Sequence, residues 1–225
     1  MRKRNLVVFS ACFLLFANAG LTTDKADVYY KGAIRLHGAE NLEKVFDLYA
    51  RSAEWGHAIS QYNLAMMYSN GESVNVDYQQ AVYWFKKSAQ QGFPPAQHRL
   101  GEMYYFEKGG LPRDLDMAVA LFEKGAQRND PDAQMNLAML YGTGEGLSAD
   151  PEKALFWIRR ASEGGHQTAA DYLEVLSASE DGRFTPGQQS GYWIKKAAEL
   201  GIREAQEVLG MHTAGRKAKI SDQKK

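Results

Sequence analysis

Residues 60–68 are Ser-Gln-Tyr-Asn-Leu-Ala-Met-Met-Tyr, and the spacing of their apolar positions is that of one face of an α-helix. Ser60, Leu64 and Tyr68 are four residues apart, so they form a stripe along one side of that helix. Because Ser60 is small, a second helix can approach closely at this point. The segment therefore predicts a helix that packs against a neighbour along the stripe.

The same stripe returns at a fixed interval along the chain. Leucines that match Leu64 are separated by 36, 37, 36 and 36 residues, and a small residue stands four positions before each of them. The leucines of this series are Leu64, Leu100, Leu137, Leu173 and Leu209. A fixed period of this length is typical of a repeat protein in which each unit is a pair of helices.

A second series predicts the second helix of each unit. Core positions are expected for its tryptophans, which are Trp84, Trp157 and Trp193. Its predicted N-caps, of a residue type that favours this position, are Asp77, Asp114 and Asp150. A residue suited to a left-handed helix stop follows it, at Gly56, Gly92, Asn129, Gly165 and Gly201.

Glycines also mark the predicted turn inside each unit. They are Gly71, the pair Gly109 and Gly110, and then Gly142 and Gly144. The one interval of 37 residues has its extra residue between Leu100 and Leu121, and we place it in the turn at residues 108–110.

These patterns predict an all-α fold of about five helix-pair repeats over residues 20–213. The predicted repeats are 24–59, 60–95, 96–132, 133–168 and 169–204, with a closing helix at 205–213. No repeat can bury its apolar stripe alone, so the stacking of neighbours must supply the core.

The first 19 residues predict a secretory signal peptide. Arg2, Lys3 and Arg4 precede a short apolar run, and cleavage is expected after Ala19 in the sequence Ala-Asn-Ala. A retained membrane anchor is disfavoured, because the run is about half of what a bilayer span needs. A lipoprotein signal at Cys12 is also disfavoured, because apolar residues follow that cysteine. The predicted mature chain is periplasmic or secreted, has no cysteine, and is not expected to associate with a membrane.

The charge of the mature chain is unevenly distributed. Without residues 1–19 there are 24 basic and 27 acidic side chains, and residues 214–225 form a basic tail with five basic residues and one acid. The body before this tail therefore has a net charge of −7, which disfavours a nucleic-acid partner. The tail is expected to be a solvated, disordered end.

Residues 62–92 resemble a Sel-1-like repeat. The resemblance lies in Tyr-Asn-Leu-Ala-Met-Met-Tyr at 62–68, Asp77, the stretch Ala-Val-Tyr-Trp-Phe-Lys-Lys-Ser-Ala at 81–89, and Gly92. Residues 96–129 and 133–165 resemble it equally. The related tetratricopeptide repeat fits less well, because its period is 34 residues. The resemblance implies a right-handed α/α superhelical solenoid whose concave side binds other proteins.

Candidate partner-binding residues lie between the stripe residues of the first helices. Aromatic, methionine and arginine side chains are typical of protein-binding surfaces, although the same residues could serve to pack neighbouring units. The candidates are Tyr62, Asn63, Met66, His98, Arg99, Glu102, Met135, Asn136 and Met139, with Gln61, Gln97 and Gln134 beside them.

The sequence favours binding over catalysis. His57 and His166 stand at equivalent positions of the repeat, which indicates a structural role, and the spacing of histidine and cysteine predicts no metal site. We therefore expect no catalytic residue, no cofactor, and a protein partner that is either in the bacterial cell envelope or secreted. Two alternatives remain open, a periplasmic inhibitor or immunity protein that neutralises a secreted effector and, less favoured, an enzyme that acts on the cell wall.

Overall fold

The structure is a computed structural model, and it describes residues 25–36 and 41–178. Within these ranges the regular secondary structure is α-helical. The first helix, α1, comprises residues 25–36. The others are α2 (Leu42–Glu54), α3 (Ala58–Asn70), α4 (Tyr78–Gln90), α5 (Pro94–Tyr105), α6 (Leu115–Gln127), α7 (Pro131–Thr143), α8 (Pro151–Glu163) and α9 (Gln167–Ala178).

The predicted fold class is confirmed, and the protein is an α/α solenoid of helix pairs. Helices α3 and α4 pack on each other, as do α7 and α8. The chain divides into two compact units, residues 1–113 with α1–α5 and residues 114–225 with α6–α9. The predicted signal peptide, Trp193, the closing helix 205–213 and the basic tail lie outside the described residues, so these expectations stay predictions.

Three leucines of the predicted stripe lie in the core, but the tryptophans are not its centre. Leu64 and Leu137 are each 1% exposed, and Leu100 is 5% exposed. Leu173 is only partly buried, and Leu209 lies outside the described residues. Trp84 and Trp157 are only partly buried, whereas the residues that follow them, Phe85 and Ile158, are 2% and 0% exposed. One residue turns a helix by about 100°, so the tryptophans lie at the edge of the buried face.

Side-chain caps fix where the second helices begin. One carboxylate oxygen of Asp77 accepts hydrogen bonds from the backbone N–H groups of Gln79 and Gln80, both at 3.0 Å. The equivalent oxygen of Asp114 accepts from Met117 at 2.9 Å, and that of Asp150 accepts from Lys153 at 3.0 Å. The three predicted N-caps are therefore confirmed.

A buried glutamine joins three of the second helices, α2, α4 and α6, to the first helix that follows. The side-chain amide of Gln61 in α3 donates to the carbonyl oxygen of Ala53 in α2 at 3.1 Å. In the next repeats Gln97 donates to Ala89 at 3.4 Å, and Gln134 donates to Ala126 at 3.1 Å. All three glutamines are buried, so they hold the helices together rather than face a partner.

Four of the five predicted backbone stops have the left-handed conformation, and the fifth, Gly201, lies outside the described residues. The residues after the second helices with positive φ are Gly56, Gly92, Asn129 and Gly165. One turn assignment was wrong, because Gly142 is a buried residue inside α7 and the turn begins at Gly144. The extra residue of the longer repeat lies after α5, as predicted, since α5 ends at Tyr105 and α6 begins at Leu115.

Gly109 has almost no space around its Cα. Its φ is +66°, and an added Cβ would lie 2.5 Å from the carbonyl oxygen of Tyr78 and 2.5 Å from a methyl group of Val82. Gly56 also has a positive φ, +91°, but an added Cβ there would meet nothing within 4 Å. A side chain at either position would adopt an unfavourable backbone conformation, but only at Gly109 would it also collide with neighbouring atoms.

We predict that Gly109→Ala lowers the free energy of unfolding more than Gly56→Ala does. A left-handed alanine costs about 1–2 kcal/mol, which is the whole expected effect at Gly56. At Gly109 the collision adds to the strain, so roughly twice that loss or more is expected. Urea unfolding followed by circular dichroism measures both. Equal losses would contradict the close contact with Tyr78.

His57 caps the start of α3 with its imidazole. Nδ1 accepts a hydrogen bond from the backbone N–H of Ser60 at 3.1 Å, and Nε2 lies 3.6 Å from a carboxylate oxygen of Asp27. His166 caps α9 in the same way, accepting from the N–H of Ala169 at 3.2 Å. The predicted structural role of both histidines is confirmed. Burial lowers the pKa of His57, and the charge of Asp27 opposes this effect.

The cap at His57 should fail in acid. Because the folded-state pKa is lowered, the unfolded chain binds the proton more tightly, so this stabilisation is present above about pH 6.5 and lost as pH falls below it. We expect His57→Asn, a cap that does not titrate, to keep up to about 1 kcal/mol that the wild type loses between pH 7.5 and pH 5. Unfolding free energies across this range provide the test, and parallel curves for the two proteins would contradict it.

Candidate partner-binding surface

Three of the predicted site residues form one connected group in the first unit. Arg99 and Glu102 lie one turn apart on α5, and Nη1 of Arg99 donates to a carboxylate oxygen of Glu102 at 2.9 Å. The side chain of Arg99 also forms a hydrogen bond with Tyr62 of α3. Helix α3 and helix α5 therefore contribute side chains to one polar group, called here the Tyr62–Arg99–Glu102 group.

Aromatic packing holds Tyr62 in place. Its ring centroid lies 5.3 Å from that of Phe93 in an edge-to-face arrangement, and 5.7 Å from that of Phe85. Edge-to-face contacts of this kind favour a defined ring orientation. The tyrosine remains partly exposed, so part of an oriented side chain is accessible to a partner.

Arg99 is a fixed charge that is still accessible. Burial would lower the pKa of Arg99, but the charge of Glu102 and hydrogen bonds to Glu102 and Tyr62 outweigh burial and raise it. The side chain of Arg99 is 38% exposed, and that of Glu102 is 28% exposed. Because the pair is already oriented, a partner would lose little side-chain entropy when it binds here.

His98 and Asn63 have structural roles that the sequence did not reveal. His98 is buried, with Nε2 3.6 Å from a carboxylate oxygen of Glu102, so its assignment as a surface contact was wrong. Its position behind Glu102 instead supports the orientation of that carboxylate. Asn63 forms a hydrogen bond with the hydroxyl of Tyr49, a core residue. Met66 is partly exposed on α3.

In the second unit the strongest correction concerns Met135. It is 3% exposed and packs in a core cluster with Ile158 and Tyr172, so it cannot contact a partner. The same register position holds Tyr62 in the first unit, where the side chain reaches the surface. Asn136 and Met139 are partly buried, and Met139 packs against the same cluster.

We predict that Met135→Ala destabilises the protein by about 2–5 kcal/mol, since it leaves a cavity among buried side chains. Met139→Ala is the matched control, and we expect it to cost about 1 kcal/mol or less because that side chain already reaches solvent. Urea unfolding of the two variants decides the point. A small effect at Met135 would restore it as a surface residue.

The sequence-based prediction did not include Phe93, although the repeat has a helix-capping residue at this position in other units. It stands where His57, Asp130 and His166 cap the first helix of other repeats, and it makes no side-chain cap. Replacement of a capping residue by phenylalanine indicates that another function outweighs the cap. Here that function is the packing of Tyr62.

Among residues 25–36 and 41–178, no helix is both long enough and apolar enough to cross a bilayer.

The sequence matches the Sel1 repeat in four segments, residues 58–93, 94–130, 131–166 and 187–202, which together cover more than half of the chain. The chain belongs to the Sel1 repeat family. Proteins of this family mediate protein–protein interaction, and their scaffold is generally not enzymatic. The match also decides between this repeat and the tetratricopeptide repeat.

Two relatives of this chain are named as regulators. An exopolysaccharide production negative regulator of Rhizobium leguminosarum is 31% identical over 140 residues, which are 56% of this chain and 52% of that protein. Chitin synthase regulatory factor 3 of Schizosaccharomyces pombe is 27% identical over 134 residues, 59% of this chain and 14% of that protein. The chain thus spans about half the length of the first relative and far less of the second.

Solved structures of Sel1 repeat proteins have the same fold. A protective antigen of uropathogenic Escherichia coli with an SLR fold is 28% identical, with a TM-score of 0.58 over 84% of this chain and 40% of that one. A Sel1 repeat protein of Oxalobacter formigenes is 24% identical, with a TM-score of 0.60 over 86% of this chain and 77% of that one.

Proposed function

We propose that this Sel1 repeat protein is an exported scaffold that binds a partner protein through the first helices of its repeats, and that the Tyr62–Arg99–Glu102 group is the centre of the contact. The observation that supports this most is the arginine held by two neighbours while more than a third of its side chain stays exposed. Tyrosine and arginine are the residues that most often dominate binding energy at protein interfaces.

The surroundings of the group fit the same role. Met66 lies one turn after Tyr62 on α3 and is partly exposed, so it can offer an adaptable apolar contact beside the rigid tyrosine. The charges of Arg99 and Glu102 face a partner as an oriented pair, which favours a complementary pair over a single charge. Candidate residues Asn136 and Met139 on α7 remain secondary contacts in this proposal.

Export is supported by residues 1–19. A basic start, a short apolar run and small residues before Gly20 fit removal by a signal peptidase. The regulator names of the two relatives support a role exerted through a partner rather than through turnover of a substrate. Adaptor and effector-neutralising roles share this binding mode, and the identity of the partner separates them.

The test is capture of the partner by the tagged full-length protein from its own cells, with Arg99→Gln as the variant. We expect one stoichiometric protein in the periplasmic fraction, bound to a chain that begins at Gly20 by intact mass. Arg99→Gln should reduce its recovery by about tenfold or more, because interface arginines of this kind contribute 2 kcal/mol or more.

Arg159→Gln is the matched control, since Arg159 is an exposed arginine on α8. It should leave recovery unchanged, and circular dichroism should show that both variants stay folded. A photo-crosslinking residue at position 66 should mark the same partner. Equal recovery with both variants would contradict the assigned surface, and cell-wall turnover abolished by one carboxylate substitution would favour an enzyme.

A further inference from the structure

The segment after α5, residues 106–113, differs from the turns of the other repeats in having one more residue of positive φ and a glutamate at the first such position. The turns after α3 and α7 have positive φ at two positions, which are Gly71 with Ser73 and Gly144 with Gly146. The matching positions here are Glu107, with φ of +57°, and Gly109, and Gly110 adds a third. A left-handed conformation is unfavourable for glutamate, and such strain persists only where the surrounding structure enforces it. This segment also contains the extra residue that the other repeats lack.

Contacts with the first unit fix the segment in place. The backbone N–H of Lys108 donates to the carbonyl oxygen of Met103 at 2.9 Å. Gly109 lies so close to the carbonyl oxygen of Tyr78 and to Val82 that no side chain fits between them. The segment is therefore held against the start of α4, and the residues next to Gly109 are presented in a defined orientation.

Lys108, which lies on this segment, is close to two exposed aromatic rings. Tyr78 and Phe106 are each 41% exposed. The ammonium group of Lys108 lies 5.8 Å from the ring centroid of Tyr78 and 5.7 Å from that of Phe106. The ring of Tyr105 packs edge-to-face against that of Phe106, with the two ring centroids 4.8 Å apart. We call Tyr78, Phe106 and Lys108 the aromatic–lysine patch.

The charge of the patch is not neutralised within the described chain. Among the described residues, no carboxylate forms an ion pair with Lys108, and Glu107 beside it makes none either. An ammonium group over aromatic faces keeps its positive charge and remains able to pair with an anion. The patch thus combines an available cation with two apolar surfaces on a rigid segment.

We propose that the aromatic–lysine patch is a second docking surface, which takes an acidic segment of a partner protein. In this arrangement a carboxylate of the segment pairs with Lys108, and a neighbouring apolar side chain packs on the rings of Tyr78 and Phe106. This surface is independent of the Tyr62–Arg99–Glu102 group. An anionic membrane is the less fitting occupant, because recognition of acidic lipids generally uses a cluster of four to eight basic residues.

The probe is a phage-displayed library of random 12-residue peptides, selected on the full-length protein and followed by synthesis of the enriched sequences. We expect enrichment of aspartate or glutamate next to aromatic or aliphatic residues. Binding of these synthetic peptides should fall at least tenfold with Lys108→Glu and with Phe106→Ser. Replacement of the acids by lysine should abolish binding to the wild type and restore it to Lys108→Glu.

Lys87→Glu is the matched control, because Lys87 is also an exposed lysine whose ammonium group lies over an exposed ring, 4.7 Å from the centroid of Tyr83. It should leave peptide binding unchanged, as should Arg99→Gln, so that failure of this proposal and failure of the first one are distinguishable. Circular dichroism confirms that each variant is folded.

Three results would overturn the proposal. One is enrichment of peptides without acidic residues, and another is an equal loss with Lys87→Glu. The third is binding to vesicles of one part phosphatidylglycerol and three parts phosphatidylcholine that depends on Lys108 and Phe106, without acidic peptide selection. That last result would assign the patch to a lipid surface.

Discussion

The hydrogen bond from a buried glutamine to a backbone carbonyl is the constraint that orients the first helices α3, α5 and α7. The carbonyl groups at the end of a second helix need partners from outside it, and those of Ala53, Ala89 and Ala126 each accept a hydrogen bond from a backbone N–H in the following turn. Gln61, Gln97 and Gln134 each donate a second hydrogen bond to one of these carbonyls. Since the bond is directional, it fixes the rotation of the next first helix as well as its position.

That rotation decides which side chains lie at the edge of the packed face. Once Gln61 faces α2, the residue that follows it, Tyr62, is turned by about 100° and lies at the edge of the packed face. In this unit Phe93 and Phe85 support the ring there, and the hydroxyl meets Arg99. The polar group therefore depends both on the orientation of α3 and on the aromatic side chains that hold the ring of Tyr62.

The sequence was a good guide to features that depend on local geometry. Aspartate caps and left-handed stops follow from the conformation of one or two residues, so Asp77 and Asn129 could be assigned from their types and spacing. Burial could not be assigned in this way, because Tyr62 and Met135 share a register position and only the neighbouring side chains decide which one is covered. The same holds for Trp84, which the period identified but which lies at the edge of the core rather than inside it.

In a repeat protein, the residues that recur between repeats and the residues that differ have different physical explanations. Glutamine, leucine and small residues recur in α3, α5 and α7 because these side chains pack each first helix against the second helix before it. The packing common to the repeats does not explain a residue that departs from the pattern, so such a residue calls for an explanation of its own. Phe93 gives up a helix cap and Glu107 adopts an unfavourable backbone conformation, so both departures cost stability. One supports Tyr62 and the other precedes Lys108, which is why both proposed binding surfaces lie in the first unit, at the positions where its repeats are least alike.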